Sequence, residues 1–530
     1  MLGRESGQGT LAEAYLWSGR TTPLIDPKTF YARFAQVRAE ILKDDDFAHW
    51  YKASGRPSVP PSRVAGAFLL ALREGCSDRE AEQRMSFDLR WKWALGLDLG
   101  DHGCDHTTIC LFRARLLAHE EEGKLFRKIL QRAVEKGLLA RRSVQVIDSS
   151  PMMGAAATQD TYRLLRTALH KVVKSHRKQL PEALRPRLNR YQKTGKPAID
   201  WEDATARKWE LNQLVSDAEL VLQELPDEGE GPTAQEAREL LKRVSRQDVE
   251  EDGEGGLKIR RGVAKDRVIS TVDPDMRHGR KSSAGKWDGY KKHLTQEPQT
   301  ELVTAVEVSA ANVPDGEMAM PLLEQQVEVG LAPGEVVGDQ AYAAGALRAQ
   351  AQDHQEGTAI VTKAPILPDS DRLPKNEFAI DLGAGTVTCP AGQVARFRYR
   401  EGHATEAVFA AAVCAICPLF ARCVSRSGIG RTIKIHPYEA QLQAARERRE
   451  QPDFDALMRQ RPTVERKQAH WNARGGRRSR YFGLPKARLQ AFWTAAVLNL
   501  ERMMVLDAGA RQACHRPGCL GMMRGVDEIT

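Results

Sequence analysis

Three acidic residues, Asp148, Asp339 and Glu465, stand far apart in the chain in contexts that point to one chemistry. Asp148 closes the β-branched run SVQVIDS (143–149), and Asp339 closes a second such run, EVVGDQAY (335–342). Both runs read as buried strands ending in a carboxylate. Glu465 lies in the most basic stretch of the chain, among Arg459, Arg461, Arg466, Lys467, Arg474, Arg477, Arg478 and Arg480. Phosphodiester hydrolysis and transfer need two divalent cations about 4 Å apart, holding the attacking and leaving oxygens in line. Mg²⁺ takes oxygen ligands and is held by few carboxylates. Two Asp at strand ends and one acid on a helix, with basic neighbours for a polyanion, meet that need. Singly, Asp148 reads as a strand-end turn or cap and Glu465 as a surface ion pair. Their order and contexts together favour a shared site binding Mg²⁺ or Mn²⁺.

A second set with metal-binding chemistry is Cys389, Cys414, Cys417 and Cys423, in CPAG…CAICPLFARC. Four thiols, two of them as Cys-x₂-Cys, have the count and softness for tetrahedral Zn²⁺. The wider Cys-x₅-Cys spacing leaves a set of free thiols in a small β insertion as the alternative. Such a zinc would be structural, because four protein ligands leave no open position. A zinc-dependent hydrolase is disfavoured, since no His-Glu-x-x-His pattern is present. Further bases, His278, Arg280, Lys281, Lys286, Lys291 and Lys292, interleave with Trp287 and Tyr290. They read either as a nucleic-acid track with stacking rings or as a solvated hairpin.

These groups need elements to hold them. With 530 residues the chain predicts several units, and its net charge of +9 favours polyanionic partners. No apolar run approaches the roughly 20 residues of a bilayer span, and the start MLGRESGQGTLAEAY lacks a leader pattern, so a cytoplasmic location is expected. Cysteines there stay reduced. Residues 1–23 read as a loose arm. Residues 24–140 read as a helical, DNA-binding or merely packed domain, with Ser77 and Glu80 spaced as a capping box. Residues 141–510 read as an α/β domain with a mixed sheet, interrupted by a helical insertion (158–256) and the Cys-containing insertion (363–437). Strands are predicted at VIST (268–271), 287–296 and 301–310, and a helix from Gly316 to about Val329. Residues 511–530 read as a frayed tail. Carboxylates at neighbouring strand ends point into one crevice.

The chain resembles the DDE transposases of bacterial insertion sequences. RPSVPPSRVAGAFLLALREGCSDREAEQRMSFDLRWKWALGL and DHTTICLFRARL carry the resemblance in the helical domain. QVIDSSPM, DPDMRHGRKSSAGKWDGYKKHL, VVGDQAYAAG and RPTVERKQAHWNARGGRRSRYFGLPKARLQAFWTAAVLNL carry it in the core. The resemblance implies a ribonuclease-H-like catalytic core with Asp148, Asp339 and Glu465 as its three metal-binding acids and Tyr342 as the aromatic after the second. Arg461 matches the Arg of the family's Tyr-Arg-Glu-Lys signature, whereas its Tyr place is Met458 and its Lys place is Asn472. That departure leaves Lys467 or Arg474 to act as the phosphate clamp. A similar Cys cluster between the second Asp and the Glu occurs in relatives. The implied activity is metal-dependent cleavage at element ends followed by attack of the freed 3′-hydroxyl on target DNA. The implied partners are double-stranded DNA, at inverted repeats and target, and a second copy of the chain, working at the nucleoid. The alternative is a decayed or repurposed DNA-binding copy.

Overall fold

The computed structural model describes residues 1–5, 25–225, 231–281, 285–354, 357–364, 372–426 and 428–514, the last seven as backbone. Most of the expected loose arm (6–23) and most of the expected frayed tail (515–530) lie outside the described residues. Residues 1–5 are held: Glu5 pairs with Arg38, and the Gly3 N–H donates to Ser58 Oγ at 3.1 Å.

Among the described residues, six α-helices form the amino-terminal part: α1 Phe30–Ile41, α2 Pro61–Glu74, α3 Asp78–Phe87, α4 Leu89–Leu95, α5 His106–Ala118 and α6 Lys124–Glu135. Pro61 opens α2, where its missing N–H costs nothing, and Gly75 stops it at φ +68°. Ser77 and Glu80 form the expected capping box on α3.

The central sheet is assembled from β1 Gln145–Met153 and strands that arrive much later in the chain. Between them stands a helical lobe of α7 Thr161–Ser175, α8 Ala204–Glu224 and α9 Pro232–Val244, with a hairpin of β2 Val249–Glu251 and β3 Leu257–Ile259. It has its own core around Leu169, Leu214 and Leu241. Next come β4 Arg277–Arg280, β5 Lys286–Gln296, β6 Val303–Ala310, α10 Ala319–Glu328, β7 Glu335–Val337, α11 Gly345–Asp353 and β8 Ala359–Val361. The sheet order is β4-β5-β1-β7-β8, with β6 also pairing β5. β1 runs antiparallel to β5 and parallel to β7, and β8 is parallel to β7. The fold is therefore mixed α/β. The strand expected at 268–271 does not form. That segment is a buried loop whose Thr271 N–H and hydroxyl donate to Gln159 Oε1, so side chains replace a ladder.

A smaller lobe follows, with β9 Ala379–Asp381, β10 Thr386–Thr388 and β11 Val394–Arg396 in one sheet, and β12 Thr405–Val408 and β13 Thr432–Ile435 in another. The chain then returns to the central sheet through α12 Glu439–Glu450, α13 Pro462–Trp471 and the long α14 Leu484–Cys514. α14 packs on β6 and also on the amino-terminal helices. Its Trp493 ring lies 4.7 Å from Phe68 and 6.0 Å from Phe112, and its Phe492 lies 5.9 Å from Phe126. One apolar cluster therefore runs from Phe34 through Val146 to Met503, and the helical part and the sheet share a core. Asn499 on α14 is fully buried, accepts from the Val303 N–H and donates to the Val303 carbonyl, both at 2.8 Å. Its amide completes the first residue of β6 as a neighbouring strand would.

Candidate active site

Register brings the two acids together, although Asp148 stands inside β1, which pairs with β5 as far as Met153, and Asp339 lies just past β7. Val146 of β1 pairs with Val337 of β7 in parallel, and Asp148 and Asp339 each stand two residues further on. Side chains alternate along a strand, so both carboxylates leave on the face of Val146 and Val337. That face belongs to the core shared with α13 and α14, whereas Ile147 belongs to the opposite face under α10 and α11. Neighbouring strands lie about 5 Å apart, which sets the two acids side by side. Asp339 also caps the short turn that follows, accepting from the Ala341 N–H at 2.9 Å.

The electrostatics are those of a crowded acidic crevice. Burial pushes the Asp148 carboxyl up to about 6, and the charge of Asp339 adds to the rise. Arg461, the Ser149 N–H and Lys281 oppose it. Arg461 Nη2 lies 3.8 Å from Asp339 Oδ2, and its buried Nε has no partner. Tyr342 is fully buried with an orphaned hydroxyl, and burial together with Asp315, Asp148 and Asp339 drives its pKa well above the usual phenol value. Orphaned polar atoms beside paired carboxylates mark a site whose chemistry is finished by something outside the chain.

α13 carries the third acid. Helical spacing of about 100° per residue puts Arg461, Glu465, Gln468 and Asn472 along one stripe. Three of the four touch the sheet side: Arg461 approaches Asp339, Gln468 Oε1 accepts from Ser150 Oγ at 2.7 Å, and Asn472 Oδ1 accepts from Lys292 Nζ at 2.7 Å. Glu465 lies between them on the same stripe, and it is exposed. Among the described residues no three His, Cys, Asp or Glu side chains are grouped to hold a metal ion. Asp148 and Asp339 thus offer the hard oxygen donors that suit Mg²⁺, while the Glu465 carboxylate is not drawn in.

Several bases expected at the DNA sit elsewhere. Lys292 is 1% exposed, donates to Asn472 and to the Gly476 carbonyl, and lies over the Trp471 ring, so it cannot reach a phosphate. Burial lowers its pKa to about 7. Lys291 pairs with Asp315 at 2.5 Å on the other face of β5. Arg474 is taken by both oxygens of Glu501 at 2.7 Å, and buried Lys467 projects from the back of α13, so neither serves as a clamp at the carboxylates. Tyr290 is buried with its hydroxyl donating to Asp273 Oδ1 at 2.6 Å, which removes it as a stacking ring. Lys281 and Lys286 stay at the exposed β4–β5 hairpin, and the charge of Lys281 reaches Asp148.

Asp315 is the acid that sequence reasoning missed. In the sequence it is only the residue after Pro314, just before the predicted helix from Gly316. Burial pushes its carboxyl up, but bonds from Lys291 and Ser149 outweigh this and hold it below the ordinary range. A sequence signal existed in principle, because Lys291 and Ser149 lie on the strand faces opposite Lys292 and Asp148.

The other three thiols of the small lobe reach Cys423 electrostatically, but the four do not stand as a formed metal-binding group. Burial raises the Cys423 pKa, Arg431 opposes the rise, and Cys414, Cys389 and Cys417 add to it. Cys389, Cys414 and Cys423 pack against the apolar core of that lobe, and all four thiols are free.

Two family models match the chain: a Transposase domain (DUF772) over residues 21–115 and a Transposase DDE domain over residues 388–504. The first covers most of the amino-terminal helices and the second covers the Cys-bearing lobe, α13 and most of α14. Asp148 and Asp339 lie between the matched segments. No curated protein and no solved structure matches the chain. No helix among the described residues is long and apolar enough to cross a membrane. Over these two segments the chain is similar to transposases, the second segment to their DDE domain.

Proposed function

We propose that this chain is an active DNA transposase. It hydrolyses the phosphodiester at its element's ends and joins the freed 3′-hydroxyl to target DNA, using Asp148, Asp339 and Glu465. The observation that carries this reading is the parallel register of β1 and β7, which aligns two carboxylates under the helix bearing the third. A sheet in which β1, β4, β5 and β6 pair antiparallel and β7 and β8 continue parallel to β1 also supports a ribonuclease-H-like core.

Asp148 and Asp339 would hold divalent metal, with Glu465 joining from α13. Such ions supply positive charge for the attacking and leaving oxygens and lower the pKa of water. The rest is done by side chains. The Arg461 guanidinium neutralises Asp339 and is placed to take a phosphate oxygen when the carboxylates are otherwise engaged. Gln468 locks α13 to Ser150, two residues past Asp148, and so fixes the approach of Glu465. Lys281 steers the backbone toward the crevice from the hairpin. A dimer would bring two element ends together, one catalytic crevice per end.

The test is cleavage of duplexes carrying the sequences that flank the coding region, with Mg²⁺ or with EDTA. A nick that leaves a 3′-hydroxyl at the element end, only with the metal, is expected. Metal-free nicking or no nicking with any flank overturns the reading. The pH dependence gives a second readout. Asp148 must lose its proton to bind metal, so Mg²⁺ affinity should rise as pH rises through about 6. Calorimetric titration in buffers of different ionisation enthalpy measures the released proton directly. The metal-free protein should show the opposite trend in stability. A carboxyl whose folded-state pKa is raised takes up a proton on folding, so stability falls as pH climbs through the window ending near 6.

For the small lobe we infer a structural Zn²⁺ on Cys389, Cys414, Cys417 and Cys423, supported by the mutual effect of the thiols on Cys423. Elemental analysis of protein purified without chelator should find about one zinc per chain, lost in the Cys414→Ser/Cys417→Ser variant. Zinc-free wild-type protein that melts like the variant would rule it out.

A further inference from the structure

A cavity of about 460 Å³ opens behind α13, between α1, the corner after α13 and α14. Lys467 lines it. Lys467 lies roughly 100° round the helix from Gln468, so this is the side turned from the carboxylates. Two acids line the cavity and both are already matched. Arg466 pairs with Glu301 at 2.7 Å, and Arg73 and Arg474 pair with Glu501 at 2.9 and 2.7 Å. The remaining cations have no such match. Arg33 donates to the Met504 carbonyl and Arg502 to the Thr300 carbonyl; neither forms an ion pair among the described residues, and only the charge of Glu301 reaches Arg502. Lys28 and Lys467 form no ion pair among the described residues, and Lys467 is only 3% exposed. Burial lowers the Lys467 pKa to about 8 against the charges of Glu301 and Glu501, so keeping its ammonium charged costs free energy that an entering anion would recover.

Small-molecule pockets are mostly apolar with a few converging polar groups. This cavity is instead lined by six Lys and Arg side chains against two carboxylates, and four of the cations, from three distant parts of the chain, form no ion pair among the described residues, which suits a repeating anion. We propose that it seats the sugar–phosphate backbone of DNA, as a phosphodiester-binding site on the back of the helix that carries Glu465. The site rests on the transposase reading for the identity of the polyanion. Its consequence is mechanical: Lys467 and Glu465 share α13, so a strand seated behind the helix fixes its rotation and presents the acid to the front. DNA is then both substrate at one face and positioning ligand at the other.

The test uses the full chain without metal. Lysine acetylation is followed by mass spectrometry, alone, with a duplex of arbitrary sequence, and with inorganic phosphate. Duplex should slow acetylation of the exposed Lys28 about fivefold or more, and phosphate at equal charge should not. No protection by duplex overturns the proposal, and equal protection by phosphate replaces it with a small-anion site. Binding of Lys28→Gln and Arg502→Gln is measured against salt in parallel. Each should lower the salt slope by about one unit, and unchanged slopes in folded variants overturn the proposal. Mg²⁺-dependent nicking reads separately. Lost protection with nicking intact sinks only this cavity, while protection without nicking sinks the transposase reading.

Discussion

Asp148→Asn should abolish metal-dependent cleavage, with a loss on the order of 10³-fold or more, and leave the protein as stable as before or more so. The two halves of that result have one cause. Asp148 is charged at neutral pH against burial and against Asp339 beside it. An amide of the same shape removes that repulsion, and a shift of one pKa unit corresponds to about 1.4 kcal/mol, so a gain of about 1–3 kcal/mol is expected at pH 7.5. The same amide cannot supply the negative charge that makes a divalent cation tolerable in the crevice. Nicking assays and thermal melts on one preparation read both. Lost activity with lost stability would make Asp148 a structural residue, and retained activity would remove it from the mechanism. Mg²⁺ should raise the melting temperature of wild type but not of the variant, because only wild type has a site to fill.

Asn499→Ala should be the most damaging single change away from the crevice, costing about 2–5 kcal/mol, since each buried backbone group left without a partner costs roughly 1–3. The Asn499 side chain satisfies both the N–H and the carbonyl of Val303, and no water can replace it at a position with no exposure. Denaturant unfolding followed by both tryptophan fluorescence and far-ultraviolet dichroism should show the midpoint falling for both signals together. The shared core through Trp493 requires this. A loss confined to one probe, or a cost under about 1 kcal/mol, would mean that the amide is incidental.

The strands were the legible part of the site. Both β-branched runs are strands in the fold, but their ends were misjudged: β1 runs on past Asp148 to Met153 because β5 pairs with it that far, and β7 stops at Val337, two residues before Asp339. The capping box at Ser77 and Glu80 was equally local and equally readable. What failed was reading charge by density instead of by phase. KWDGYKKHLTQ alternates, so Tyr290, Lys292 and Leu294 share the inward face while Lys291 and His293 share the other. Treated as a cluster, the two lysines looked alike; treated as a strand, they point opposite ways. α13 gave the same lesson at its own period. Lys467, His470 and Arg474 are one face, and Arg461, Glu465 and Gln468 are the other. Asp315 escaped because a turn residue carries no hint of what a distant strand will bring to it. The union of helical part and sheet in one core was also hidden, since the residues that make it are separated by hundreds of positions.

That union bears on how the polypeptide is made. Small domains ordinarily acquire their shape in turn, the first-made region settling while the ribosome continues. Here Phe68, Phe112 and Phe126 are synthesised early, yet the rings that cover them, Phe492 and Trp493, emerge almost last. The nascent amino-terminal bundle therefore stays greasy and unfinished through most of translation, a natural client for a chaperone. A message truncated before Leu484 yields no usable half-protein, only a sticky fragment.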